Sequence, residues 1–271
     1  MLGFIGLPIS IALYWLVLRP KRQSPFPKTG LIRLAIATVI SVALSTLLTL
    51  PISGVITLAR TGVFSDFSGF LETLKSNPGV LKEMTANLAD KPLPGTLWNM
   101  VDMFFGAGLL EEGLKFLTCR LAIRKEGMVR TWMDSVAAFA FVGITFEMIE
   151  NVAFGGAELL NVIFRALSPV HFVFGVIMGY FWGKYRVTGL KRYGVLSLAV
   201  PVLYHTVTNG LMTSMELSKV NSVIGGAAAI SHIAAGILTV IVLILWQKRG
   251  TLNVPVPEKQ APEDAPEESA S

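Results

Sequence analysis

Long apolar runs alternate along the chain with short polar connections. A membrane-crossing helix needs about 20 predominantly apolar residues. Seven stretches approach that length: Leu2–Leu18, Leu31–Ala59, Leu97–Leu121, Trp132–Phe154, Val162–Trp182, Gly194–Met212 and Val223–Trp246. The pattern predicts an all-α, polytopic transmembrane helical bundle of about seven spans. Residues 1–59 hold the first two spans. Residues 60–96, with Pro78, Pro92 and Pro94, read as an external polar loop carrying a short amphipathic helix. Residues 97–212 form a core of four spans, and 213–249 hold the last. Residues 250–271 are acidic, Pro-rich and without aromatics, which predicts a disordered tail. The first run lacks a basic leader and a small-residue cleavage site, and Arg19, Lys21 and Arg22 follow at once. It reads as an uncleaved anchor.

Composition agrees, with 52% hydrophobic and 15% charged residues. The net charge of +5 is unevenly spread. From Glu258 to Ser271 five acids face Lys259, a local −4 that leaves +9 on the rest. In a membrane protein such an excess of Lys and Arg sets orientation rather than binding nucleic acid. Arg19, Lys21, Arg22, Lys28 and Arg33 crowd the first connection. Arg120, Arg124, Lys125 and Arg130 crowd the third, against Glu126, and Lys184, Arg186, Lys191 and Arg192 crowd the fifth. Lys248 and Arg249 follow the last span. The intervening connections are balanced, so the positive-inside rule puts the N-terminus outside and the C-terminus in the cytoplasm. The one cysteine, Cys119, excludes an internal disulfide and a Cys-based metal site; it reads as a small buried apolar residue.

The chemistry lies in polar residues placed inside these apolar runs. A charged side chain at the bilayer centre costs roughly 2.5–3.5 kcal/mol on insertion scales, so such groups are paired or face a wet cavity. Glu111 and Glu112 are adjacent, about 100° apart on a helix, and Lys115 is within one turn of both. The trio is either a structural ion pair or part of a site; one lysine neutralises only one glutamate. Glu147 and Glu150, with Asn151, come on the next span; Glu150 reads as a site acid or as the polar end of the span, and Glu147 as a structural acid. His171 starts the next polar cluster, with Gly175 and Gly179 on one smooth stripe that admits a close helix neighbour. His205 and Asn209 share one side of the sixth span, and His232, without an acidic neighbour, reads as structural. Glu and His in this setting can bind a zinc ion that activates water, or activate water as a Glu–His pair without metal. A proton-relay transporter uses similar residues, although no inverted repeat is visible between the halves.

The order of four motifs on successive spans narrows the choice: EEGLK (Glu111–Lys115), FEMIEN (Phe146–Asn151), HFVFG (His171–Gly175) and HTVTN (His205–Asn209). This set resembles the PrsW family of intramembrane proteases, whose motifs run EExxK, FxxxEN, HxxxG and HxxxN. The wider relatives are the CAAX-processing and bacteriocin-processing membrane peptidases; the CAAX-type relatives usually carry EExxxR and place a histidine where this chain has Glu150. Family members often have a tyrosine where Phe154 stands here, a change that keeps the ring and loses the hydroxyl. The resemblance covers Glu111 to Asn209. It implies an intramembrane endopeptidase of a bacterial-type cell membrane, acting on a single-pass membrane protein of the anti-sigma-factor kind. Its site residues carry over as Glu111, Glu112, Glu150, His171, His205 and Asn209. Glu150, His171 and His205 are the candidate ligands of a zinc ion. Glu111 or Glu112 would activate water, and Asn209 would orient His205 or the substrate amide. The alternatives are CAAX-like or bacteriocin processing, and a non-enzymatic transporter or scaffold.

Overall fold

The computed structural model describes residues 2–18, 26–61, 66–77, 79, 92–124, 128–153 and 159–257. Outside them lie Arg19, Lys21 and Arg22, most of the 78–91 stretch, Lys125, Glu126, Phe154, Glu158 and the acidic tail from Glu258. A 3₁₀ turn over Leu2–Gly6 leads into α1 (Leu7–Leu18), followed by α2 (Lys28–Arg60) and α3 (Phe67–Ser76). Then come α4 (Pro92–Met103), a π-helical segment (Phe104–Gly108) and α5 (Leu109–Ala122). The chain continues through α6 (Trp132–Ala153), α7 (Leu159–Leu167), α8 (Val170–Thr188) and α9 (Lys191–Met212). A 3₁₀ turn over Met215–Leu217 precedes α10 (Lys219–Arg249). The described residues form no β-strand, only an isolated bridge between Thr131 and Pro255.

Five segments are long and apolar enough to cross a membrane: Lys28–Arg60, Trp132–Ala153, Leu159–Thr188, Lys191–Leu217 and Lys219–Arg249. Two of the seven expected spans fall short by that measure. The first is a short apolar helix, Phe4–Leu18. The third is divided by the π segment and carries Asp102, Glu111, Glu112 and Lys115. The fifth, Leu159–Thr188, is interrupted: Pro169 lacks an N–H and disfavours a helical conformation at Ser168, so α7 ends at Leu167 and α8 starts at Val170.

Helices α6 and α8 form the centre. Their axes approach closely because both carry glycine at the crossing. A Cβ on Gly143 would strike the His171 carbonyl, and one on Gly175 the Phe139 carbonyl. At Gly179 it would stand 2.5 Å from Val136 Cα. The small-residue stripe read from Gly175 and Gly179 therefore faces α6. Phe139, Phe172 and Phe174 are fully buried around this contact. Cys119 on α5 is fully buried as well. Outward faces are apolar instead: Leu50 on α2 is 79% exposed and Val223 on α10 74%. That pattern suits a lipid environment rather than water.

The π segment sits between α2 and α9. Thr49 Oγ1 donates to the Gly106 carbonyl at 3.0 Å, and a Cβ on Gly108 would meet Thr206 Oγ1 and lie 2.9 Å from the Val202 carbonyl. The wider turn re-phases the helix on its C-terminal side. The buried stripe of α5 is then Glu112, Lys115, Cys119 and Ala122.

The expected tail starts later than residue 250. Residues 250–257 form an ordered strap along the start of α6: Trp132 N–H donates to Val254 O at 3.0 Å, Met133 N–H to Leu252 O at 2.9 Å, and Val256 N–H to Arg130 O at 2.8 Å. Leu252 is 2% exposed. The first N–H groups of any helix lack partners within it; here strap carbonyls accept from Trp132 and Met133, while Asp134 Oδ2 accepts from the N–H groups of Arg130 and Thr131 just before the helix.

Candidate active site

The motif residues meet at one end of the α5–α6–α8–α9 cluster, around a cavity of about 390 Å³. Its walls include Glu111, Glu147, Glu150, His171, His205 and Asn209. Glu147, His171 and His205 are buried, Glu111, Glu150 and Asn209 partly so, and Glu112, outside the lining, completely.

The break at Ser168–Pro169 places His171 in the first turn of α8, where backbone N–H groups are unpaired by the helix. The His171 N–H donates to Glu147 Oε2 at 2.9 Å. Glu147 therefore caps a neighbouring helix, and Gly143, one turn earlier on α6, creates the room that allows it. The His171 ring is held from both sides. Lys115 Nζ lies 2.6 Å from Nδ1, and Nε2 lies 2.8 Å from Glu150 Oε2. An ammonium only donates, so Nδ1 accepts and the ring proton sits on Nε2, donated to Glu150.

Lys115 also donates to Glu112 Oε1 at 2.6 Å and lies over the Phe146 ring at 3.9 Å from its centroid. That ring is in turn 4.8 Å from the His171 ring. Glu112 Oε1 accepts a second bond, from His205 Nδ1 at 2.9 Å. Each histidine thus gives one ring nitrogen to a carboxylate, the arrangement that usually orients metal-binding histidines. The two rings are 5.4 Å apart, centroid to centroid.

Glu111 differs from its neighbour. It borders the cavity, and its Oε2 is 3.9 Å from both Lys115 Nζ and His171 Nε2, beyond hydrogen-bond reach. Buried Oε2 atoms of Glu111 and Glu112 have no hydrogen-bond partner among the described residues. Ligand atoms of Glu111, Glu112, His171 and His205 all lie within 4.8 Å of one another, a group that can hold a metal ion. Glu150 stands outside that group, on His171 and on Arg165, whose Nη2 is 3.0 Å from Glu150 Oε2.

One participant was not singled out by sequence reasoning. Arg165 on α7 also donates from Nε to Asn151 Oδ1 at 3.0 Å, tying the EN pair to the short helix before His171. The available signal was a cation on an amphipathic stretch just ahead of the HxxxG motif. His232, read as structural, bonds Thr208 Oγ1 at 2.7 Å through Nε2 and also borders the cavity. Asn209 lines the cavity one turn beyond His205, while the bond that orients His205 comes from Glu112.

Comparison with known proteins points the same way. The chain is 33% identical over 115 residues to Protease PrsW of Clostridioides difficile, covering 38% of this chain and 48% of that protein. Protease PrsW of Bacillus subtilis is 31% identical over 119 residues, 42% of this chain and 55% of the relative. Protease PrsW of Geobacillus kaustophilus is 31% identical over 122 residues, 42% and 53% respectively. The chain spans about half the length of these curated relatives. No solved structure gives a significant match. The family model described as PrsW family intramembrane metalloprotease matches residues 34–246, well over half of the sequence and all four motifs. The chain belongs to the PrsW family of intramembrane metalloproteases.

Proposed function

We propose that the chain is an endopeptidase that hydrolyses a peptide bond in a single-pass, membrane-anchored protein, with Glu111 as general base. The observation that carries this reading is the asymmetry of the adjacent carboxylates. Glu111 borders the cavity and lies 3.9 Å from Lys115 and His171, whereas Glu112 is fully buried and held through Oε1 by Lys115 and His205. Glu111 takes a proton from a cavity water as that water attacks the scissile carbonyl, and passes it to the leaving amine. Glu112 and Glu150 fix the two imidazoles, Lys115 balances the buried acids, and Asn209 binds the substrate backbone.

The donor set suits zinc: two imidazoles with carboxylate partners and buried carboxylate oxygens without one. Glu112, His171 and His205 would hold the ion. When bound, such an ion acidifies water and polarises the scissile carbonyl. A metal-free glutamate mechanism is the second reading. Both His171 nitrogens are already engaged, by Lys115 and by Glu150, so ligation through His171 requires one of them to withdraw.

The charge pattern supports a bacterial-type cell membrane location with the N-terminus outside and the C-terminus cytoplasmic. In that orientation α1 and the α4–α5 helix complete seven spans, and the cavity, at the far end of α6 from Trp132, opens outward. An outward opening suits cleavage of an exported substrate segment; CAAX-like processing of C-termini needs the opposite face.

The test compares membrane and released peptides by mass spectrometry in cells producing the wild type or a Glu111→Gln, Glu112→Gln double variant. A truncated single-pass protein appearing only with the wild type is the expected result. With purified protein, Glu111→Gln abolishes cleavage and leaves thermal stability unchanged; full activity in that variant sinks the assignment. Chelation with metal analysis separates the two mechanisms: activity lost and restored by zinc supports the first, activity indifferent to chelators the second.

A further inference from the structure

A second concavity, a groove of about 630 Å³ between α5, α8 and α9, runs from the end of the bundle remote from the cavity up to Phe104, Leu109 and Val202. Phe104, Leu109, Phe116, Leu198, Val202 and Leu203 make its walls apolar. At its mouth stand Arg120, Lys191, Trp182 and Tyr185, with the Arg120 guanidinium 5.0 Å from the centre of the Trp182 ring. Among the described residues, neither Arg120 nor Lys191 has a carboxylate partner.

Length and charge together select an occupant. Along α5, Leu109 and Arg120 are about 16 Å apart at 1.5 Å per residue. That matches the half-thickness of a hydrocarbon core of about 30 Å, a single leaflet. Trp and Tyr mark the headgroup level, and the two cations there attract an anionic headgroup.

We propose that this groove binds one acyl chain of an anionic phospholipid, with the phosphate on Arg120 and Lys191 and the chain running toward Leu109. The bound lipid fills the gap between α5 and α9, behind the π segment that sets the direction of Glu111 and Glu112.

The full chain is reconstituted in an equimolar bilayer of phosphatidylglycerol and phosphatidylcholine, extracted gently, and its retained lipid counted by native mass spectrometry. The wild type is expected to retain phosphatidylglycerol in preference. Arg120→Gln and Lys191→Gln each lower that preference about five-fold, the equivalent of about 1 kcal/mol per surface cation. Ala199→Trp, which fills the groove from its lining, loses retained lipid of both kinds. Equal retention of the two lipids by the wild type overturns the proposal. So does Ala199→Trp protein that keeps its lipid, including the case in which it stops cleaving a membrane-anchored substrate, which would identify a polypeptide as the occupant.

Discussion

Gly143→Ala tests whether the helix crossing and the candidate site are one mechanical unit. The added Cβ would overlap the His171 carbonyl oxygen and stand 2.8 Å from its carbon, against the 3.4 Å at which ordinary contact begins. Both partners are backbone, so no side chain can swing away. Helix α8 must retreat by 0.6 Å or more at that point. Overpacking of this kind costs about 1–3 kcal/mol, while alanine favours a helix interior over glycine by about 1 kcal/mol. The same retreat moves His171 away from Glu147 and Glu150, and a misplacement of about 1 Å in a catalytic constellation costs on the order of 10²-fold in rate. Gly226→Ala on α10 is the control, since nothing lies within 4 Å of its Cβ. Thermal unfolding in detergent should show Gly143→Ala less stable than Gly226→Ala by about 1–3 kcal/mol, and cleavage should fall only in the former. Equal stabilities with full cleavage in Gly143→Ala would refute the close contact.

Three further substitutions probe the polar network. Glu147→Leu leaves the buried His171 N–H without an acceptor and should lower stability by about 1–3 kcal/mol in the same unfolding assay, whereas Glu147→Gln, which keeps an acceptor oxygen, should cost less. Lys115→Met strands Glu112 as a buried carboxylate without its ammonium, and removing one partner of a buried pair costs about 3–5 kcal/mol; a purified variant of wild-type stability contradicts the ion-pair assignment. Arg165→Gln touches a partly exposed pair, so unfolding should move by no more than about 1 kcal/mol. Its cleavage rate should nevertheless drop through Glu150 and His171, and an unchanged rate would make Arg165 a surface contact only.

The sequence carried the membrane class because apolar run length is a direct consequence of bilayer thickness, and it carried the motif residues because ionisable groups inside such runs are conspicuous. Gly175 and Gly179 also spoke plainly, since a glycine stripe on a helix has few uses besides close approach. Boundaries were harder. The π segment leaves no compositional mark beyond Gly106 and Gly108, and its effect is only to rotate α5 about its own axis. Pro169 was visible, yet its consequence, a fresh helix start that exposes the His171 N–H to Glu147, depends on a partner 24 positions earlier. Glu150 shows the same limit: spacing placed it beside the site, but its bond to His171 and its tie to Arg165 are tertiary. The strap from Gly250 was hidden because its role is performed by backbone carbonyls, to which composition is blind.

That strap has a bearing on how the molecule is made. The opening N–H groups of α6 at Trp132 and Met133 find their acceptors at Val254 and Leu252, about 120 residues downstream. At roughly 5–20 residues per second of synthesis, the two ends of that contact are separated by about 6–24 s. Helix α6 must enter the membrane and wait with its first turn incomplete while α7 to α10 are produced. The helix whose far end carries Glu147 and Glu150 is therefore finished only after α10 has emerged, which ties assembly of the candidate active site to completion of the last span.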